Sequence, residues 1–301
     1  GLAAARLRIY QNLGWDFNKQ GHNGAPPVRI IAGQDIHGAV IKAVALLGFG
    51  LDNIEWVTGD DQGRIDTTQI PPLDNTCIVM LQAGNVNSGA FDPFDDICDQ
   101  ANAVGAWVHI DGAFGLWAAG TERLKHLTKG VHKAHSWSVD GHKTLNTPYD
   151  SGILLCRDKE ALITALQASG AYLTSSYSDN RDGMLYTPEM SRRARAVELW
   201  AALKYLGKSG VDALVFGLHE RAVQFAQELS AAGFSIINDV VFNQVLVAPS
   251  DDDDTTQKLL EKIQTSGECW AGSSIWKGKK VIRISVCSWA TSEQDISRSV
   301  Q

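Results

Sequence analysis

WVHIDGAFG at residues 107–115 and SWSVDGHK at residues 136–143 decide how this chain folds. Trp107 to Ile110 is a short apolar run closed by Asp111, and Ser136 to Val139 leads directly into Lys143. A third run, TCIVMLQ at 76–82, is followed by Asn85. Short apolar runs with a polar residue at the exit are what buried parallel strands look like, and chemistry in such sheets gathers at the carboxyl ends of the strands. A lysine after small and polar residues, with an aspartate ending an apolar run upstream, can hold pyridoxal 5'-phosphate (PLP). The amine forms a Schiff base with the aldehyde. The carboxylate pairs with the pyridine nitrogen and keeps it protonated, so the ring accepts electrons. Either residue alone reads as a surface lysine or a loop-capping aspartate; their joint setting favours the cofactor.

Outward from these stretches, strands and helices alternate. Helices are expected at Leu2 to Leu13, Asp35 to Leu47 and Asp92 to Val104, and strands at Val28 to Ala32, Ile54 to Val57 and Gly152 to Cys156. The pattern predicts an α/β domain with a mostly parallel sheet covered on both faces. Ala194 to Leu206 is expected to be a joining helix. Beyond it, Val211 to Ala232 is a long helical pattern, followed by strands at Phe242 to Ala248 and Val281 to Val286 and helices at Thr255 to Thr265 and from Thr291. These suit a smaller α+β domain, so we expect a large domain over 1–206 and a small one over 207–301.

The chain has 301 residues, 44% hydrophobic and 20% charged, with a net charge of −7, which suits an ordinary globular protein. No basic stripe matches a phosphate backbone, so nucleic acid is not an expected partner. No apolar stretch approaches a membrane span. Five scattered cysteines without a CxxC pair suit reduced thiols in the cytoplasm and give no zinc spacing. The acidic run Asp251 to Asp254 reads as a loop and helix N-terminus; it lacks the ligand spacing of a calcium loop. No GxGxxG sits between a strand and a helix, which disfavours a nicotinamide cofactor. The first residues, GLAAAR without an initiator methionine, lead us to expect that the numbering begins partway along a longer protein.

HIDGAFG around Asp111, SVDGHK around Lys143 and DIHG around His37 resemble the group II PLP-dependent decarboxylases, which include the aromatic-amino-acid, histidine and glutamate decarboxylases. NVNSGAFDP at 85–93, TPEMSRRARAVELWAALKYLG at 187–207 and IRISVCSWAT at 282–291 extend the resemblance over nearly the whole chain. It implies a fold-type I PLP-dependent transferase-like large domain, here lacking its amino-terminal part. It also implies a homodimer with the active site at the subunit interface. By resemblance, several phosphate ligands lie in a glycine- and serine-rich segment before residue 1.

The resemblance also implies roles. Lys143 is the Schiff-base lysine, expected to be buried with its pKa lowered by desolvation. Asp111 partners the pyridine nitrogen, and Ala113 is small enough for the ring to lie flat. His142 reaches the phosphate or the lysine, or simply caps the turn. His37 stacks on the open ring face, or is a helix-start histidine bonded to backbone. Asn85 or Asn87 donates to the ring hydroxyl or substrate, or both shape the turn. The stretch 168–190 holds Tyr172, Tyr177, Asp179, Asn180, Arg181, Asp182, Gly183 and Tyr186. Relatives carry there a loop whose tyrosine returns a proton to the substrate carbon; Gly183 falls near its position, with Tyr186 three residues on. Arg192 and Arg193 bind a carboxylate or form a solvated helix face.

The implied activity is decarboxylation of an L-amino acid to the amine and carbon dioxide. Other PLP chemistry (aminotransferase, lyase or aldehyde synthase) and a non-catalytic scaffold or assembly subunit are the alternatives.

Overall fold

The computed structural model describes residues 1–167 and 182–301. Tyr172, Tyr177, Asp179, Asn180 and Arg181 therefore lie outside the described residues. Strands β1 (Arg29–Gly33), β2 (Ile54–Val57), β3 (Cys77–Gln82), β4 (Trp107–Asp111), β5 (Ser136–Asp140) and β6 (Gly152–Cys156) form one sheet in the order β2-β1-β3-β4-β5-β6. The first five strands run parallel; β6 returns antiparallel to β5. A second sheet is antiparallel and ordered β7-β8-β10-β9, from β7 (Ser235–Ile236), β8 (Gln244–Ala248), β9 (Gly272–Trp276) and β10 (Lys279–Ser285). The helices are α1 (Leu2–Asn12), α2 (Phe17–Gln20), α3 (Gly38–Leu46), α4 (Phe94–Val104), α5 (Gly141–Thr144), α6 (Lys159–Leu166), α7 (Ala196–Ala231), α8 (Asp253–Ser266) and α9 (Glu293–Val300).

The large sheet is apolar on both faces because alternate side chains point opposite ways. Ile31, Val79, Leu81, Val108 and Ile110 pack with Phe94 and Ile97 of α4. Ile30, Ala32, Ile78, Met80 and Trp107 pack with Leu2, Ala5 and Ile9 of α1 and Val40 and Val44 of α3. Every residue of β3 is buried, the mark of a central strand covered twice. The small sheet is covered mainly on one face, by Leu218, Ala222, Phe225 and Leu229 of α7, Leu260 of α8 and Ile296 of α9.

Helix α7 is not continuous. Gly207 (φ 60°, ψ −173°) interrupts it, next to the expected end of the joining helix at Leu206. Val211 and Val215, beyond the break, still pack on the core of the large sheet, while Leu214 and Leu218 pack on the small one. Strands β7 and β9 and helix α6 were not among the expected elements. The acidic run does cap a helix: Asp252 accepts the Thr255 N–H at 2.9 Å, and Asp253 and Asp254 fill the first turn of α8.

Candidate active site

Parallel register aligns three polar residues at the carboxyl edge of the large sheet: Gln82 pairs with Asp111, and Asp111 with Ser138. The side chains of Gln82, Asp111, Ala113, Lys143 and His37 line a cavity of about 180 Å³. Its far wall comes from the small sheet, through Gln244, Arg283, Ser285 and Cys287.

Asp111 ends β4 largely buried. Its Oδ1 accepts the Ala113 N–H at 3.1 Å and the Ser138 hydroxyl at 3.4 Å. Among the described residues no donor reaches Oδ2. Burial pushes this carboxyl above the usual aspartate value; the Ala113 hydrogen bond and the nearby charges of His37 and Lys143 pull the other way, and Asp140 adds to the rise. A buried carboxylate with one unpartnered oxygen beside a cavity suits a protonated ring nitrogen.

Lys143 sits in the single turn α5, which β5 leads into. The expectation of a buried lysine does not hold. Its side chain is 35% exposed and pairs with Asp140 at 3.1 Å. The turn places it at the cavity mouth, where a partner carboxylate holds the amine. Asp140 also lies 3.4 Å from His142 Nε2.

His142 turns away from the cavity. Its Nδ1 accepts the Ser151 N–H at 3.0 Å and its ring packs on Tyr149, centroids 4.1 Å apart, so it fastens the turn to β6 rather than lining the cleft. His37 does two things at once. It is the N-cap of α3, its Nδ1 accepting the Ala39 N–H at 3.1 Å, and it also lines the cavity. With Nδ1 an acceptor, Nε2 carries the hydrogen of the neutral ring.

Asn85 and Asn87 do not line the cavity; Val86 between them does. Asn85 Oδ1 accepts the N–H groups of Asn87 and Ser88, at 2.9 and 3.3 Å, which is the turn-shaping alternative. Its amide donates to the Asp35 carbonyl at 3.2 Å, as Gln82 does at the same distance, so both hold the DIHG turn. Asn87 accepts the Ser274 hydroxyl at 2.6 Å, a link to the small sheet. Tyr186 follows the short turn Gly183–Leu185, half-buried, and is not part of the cavity wall. Arg192 faces Glu189 at 3.6 Å and Arg193 faces Glu198 at 2.8 Å, both on the surface.

Arg283 was not anticipated. Its guanidinium donates to the Val86 carbonyl at 3.0 Å and to the Ser285 hydroxyl at 3.2 Å while lining the cavity. Burial draws its pKa down from the ordinary arginine value, with Cys287 opposing. Ser285 donates in turn to Gln244 Oε1 at 2.6 Å. The signal was present in IRISVCS, where Arg283 interrupts an apolar strand, but an alternating strand gives the same pattern.

A mainly parallel sheet that closes one aspartate and one lysine onto a shared cleft, roofed by a smaller antiparallel sheet, defines a fold-type I PLP-dependent enzyme fold. Residues 4–248 match the family model described as the pyridoxal-dependent decarboxylase conserved domain, and the chain belongs to that family. It is 24% identical over 327 residues to a tyrosine decarboxylase of Papaver somniferum, which covers 98% of this chain and 62% of that protein. It is 27% identical over 274 residues to an L-2,4-diaminobutyrate decarboxylase of Rhizobium meliloti, with 83% and 54% covered. The chain thus spans less than two thirds of the length of either curated relative. A crystal structure of mouse CSAD superposes with a TM-score of 0.86 at 21% identity over 99% of this chain and 68% of that one, a likeness of fold.

Proposed function

We propose that the protein decarboxylates an L-amino acid with PLP as cofactor, and that Lys143, Asp111 and His37 form the centre of the site. The observation that carries this reading is the cavity itself: one small cleft at the carboxyl ends of β3, β4 and β5 is lined by all three side chains. Bound there, PLP would supply the sink for the electron pair left on the alpha carbon when carbon dioxide departs.

The chain's own residues account for the rest. Asp111 offers its free Oδ2 to the protonated ring nitrogen, in a setting where water competes little. Lys143 supplies the amine that tethers the cofactor and moves protons near the alpha carbon. His37 limits ring tilt from the opposite face, and its Nε2 hydrogen orients the substrate carboxylate or supplies the returning proton. Ala113 leaves room for a flat ring. Arg283 presents a fixed guanidinium to a carboxylate of the amino acid. Among the described residues that line the cavity, His37 and Lys143 are the groups placed to return the proton.

The molecule divides into the cofactor-binding part, 1–206, and the small part, 207–301, which the break at Gly207 supports. We infer a homodimer, a reading supported by Val197, Trp200 and Tyr205 on α7, which are 59%, 65% and 90% exposed. A cytoplasmic setting agrees with five free cysteines. Among the described residues no helix is long and apolar enough to cross a membrane. None of their side-chain clusters has three metal-ligating groups.

Borohydride reduction in the presence of PLP, followed by peptide mass mapping, tests the assignment. The cofactor mass is expected on Lys143 and is expected to vanish in Lys143→Ala. A label on another lysine, or none, would overturn it. Assays of carbon dioxide, amine, ammonia and aldehyde across a panel of amino acids then separate decarboxylation from the other PLP reactions. Aldehyde with ammonia would replace the reading by an aldehyde synthase.

A further inference from the structure

Asn146 ties together two segments that approach the cleft from different sheets. It lies three residues after Lys143 and adopts φ 51°, a left-handed conformation that asparagine tolerates better than most side chains. Each polar atom of its amide is used. Nδ2 donates to the Lys143 carbonyl at 2.9 Å and to the Cys287 carbonyl at 2.8 Å. Oδ1 accepts the Trp289 N–H at 2.8 Å. The first bond reinforces the turn that carries the lysine, which the Asn146 backbone N–H closes on the same carbonyl at 3.2 Å. The other two grip the chain leaving β10, just past Arg283, Ser285 and Cys287 on the cavity wall.

No other contact with the 287–289 segment is made by the lysine turn among the described hydrogen bonds. The opposite side of the cleft has its own ties, Asn87 to Ser274 and Lys277 to Asp35. On the lysine side a single primary amide does this work. It reaches two carbonyls and one N–H at once, which needs two donor hydrogens and one acceptor on one planar group. A carboxylate offers no hydrogens, and a hydroxyl offers one.

We propose that Asn146 is a positioning residue: it fixes the distance between the Lys143 amine and the wall formed by Arg283, Ser285 and Cys287, and so couples closure of the small sheet to capture of the cofactor aldehyde. This rests on the reading of Lys143 given above. Asn146 touches neither cofactor nor substrate in this scheme; it acts through the backbone of Lys143 and of Cys287–Trp289.

Asn146→Gly is the informative variant because glycine accepts the same φ without strain and removes only the amide. The rate at which added PLP becomes trappable by borohydride on Lys143 is expected to fall about fivefold, the scale of one net hydrogen bond. KM for the amino acid is expected to rise with it, since the Arg283 wall loses its tether. Asn146→Asp keeps the shape and the acceptor for Trp289 but lacks both donors, and is expected to behave like the glycine variant in trapping rate. In the wild type, amide hydrogen exchange over 143–147 and 286–291 is expected to slow together when PLP is added.

If the wild-type protein takes no label on Lys143, the functional reading itself fails. If the wild type is labelled while the glycine and aspartate variants trap PLP at its rate with unchanged KM, the coupling fails. Should either variant not fold, the exchange measurement decides: protection gained over 143–147 but not over 286–291 overturns the proposal.

Discussion

The two walls of the cleft are built by different means. The wall from β3, β4 and β5 is parallel sheet buried on both faces, so its polar groups emerge only where strands end. The wall from β8 and β10 is antiparallel, and its polar groups lie along one face of the strands. Gln244 and Ser285 are register partners there, and Arg283 reaches both Ser285 and the Val86 carbonyl, so the wall is a string of side-chain hydrogen bonds. The first wall holds Asp111, Gln82 and His37 mainly through backbone groups; the second links Arg283, Ser285 and Gln244 side chain to side chain, with one further bond from Arg283 to the Val86 carbonyl. A wall of the first kind suits a cofactor whose position must not vary, and a wall of the second kind suits a substrate-facing surface. Changes to the two walls should therefore separate: the first should affect cofactor binding and turnover, the second substrate affinity.

The largest effect is expected at Asp111. Asp111→Asn keeps the shape and an acceptor for the Ala113 N–H but removes the charge. Turnover is expected to fall about 10²–10³-fold, as when one preorganised electrostatic group is lost from an active site. Steady-state assay with saturating PLP measures it. A pH dependence accompanies the charge. Burial raises this carboxyl above 3.8 in the folded chain. Stability from the protonated form is therefore complete below that value and is lost as pH rises through the raised one. PLP affinity runs the opposite way, because the ring nitrogen pairs with the ionised form: it should strengthen as pH rises through the same range. Titrating thermal midpoint and PLP affinity of wild type against Asp111→Asn tests both signs. Equal pH slopes in the two proteins would remove Asp111 from the role.

Arg283→Gln tests the second wall. Glutamine can keep a donor toward the Val86 carbonyl while losing the charge. KM for the amino acid is expected to rise about tenfold to a hundredfold, the scale of a hydrogen bond to a charged group, with PLP affinity changed little. A loss of PLP affinity with unaltered KM would break the contrast between the walls.

That contrast also explains what could be read from the chain alone. Asp111 and Lys143 were legible because an apolar strand buried on both faces leaves few places for a charge, and the end of the strand is one. His37 was legible only as two alternatives; the backbone-bonded helix cap is present, and the same side chain lines the cavity. Arg283 was hidden: VIRIS is an ordinary half-exposed strand, and nothing local says that its open face lies against Val86, 197 residues earlier. Asn85 and Asn87 were read toward the cofactor, yet the tight turn after β3 claims one amide and a small-sheet hydroxyl meets the other. Exposure of Lys143 depends on Asp140 and on the single turn α5, which residue type does not reveal. Strand β7 was missed because it is only two residues long, and β9 because GSSIW has one apolar residue before its closing tryptophan and so shows no apolar run.

The smallest expected effect concerns how the second wall is held against the first. The two-residue turn between β9 and β10 carries Lys277, whose amine meets Asp35 Oδ2 at 3.2 Å, in the DIHG turn that presents His37. The same Asp35 offers its carbonyl to Gln82 and Asn85, so the turn is already fixed by two amides from the first wall. The ion pair is 45% and 28% exposed on its two sides, where such pairs are worth about 0.2–1 kcal/mol. Lys277→Met is therefore expected to change KM about twofold, with the difference shrinking at high salt. Asn85→Ala should cost more than Lys277→Met, because it removes a buried tie on the same residue. Pairing Lys277→Met with Asp35→Asn in a double-mutant cycle isolates the contact from the rest of the hairpin. Additive effects would mean that this pair contributes nothing to holding the small sheet, and that the other ties, among them Asn87 to Ser274, Arg283 to the Val86 carbonyl and Asn238 to the Ser88 carbonyl, are enough.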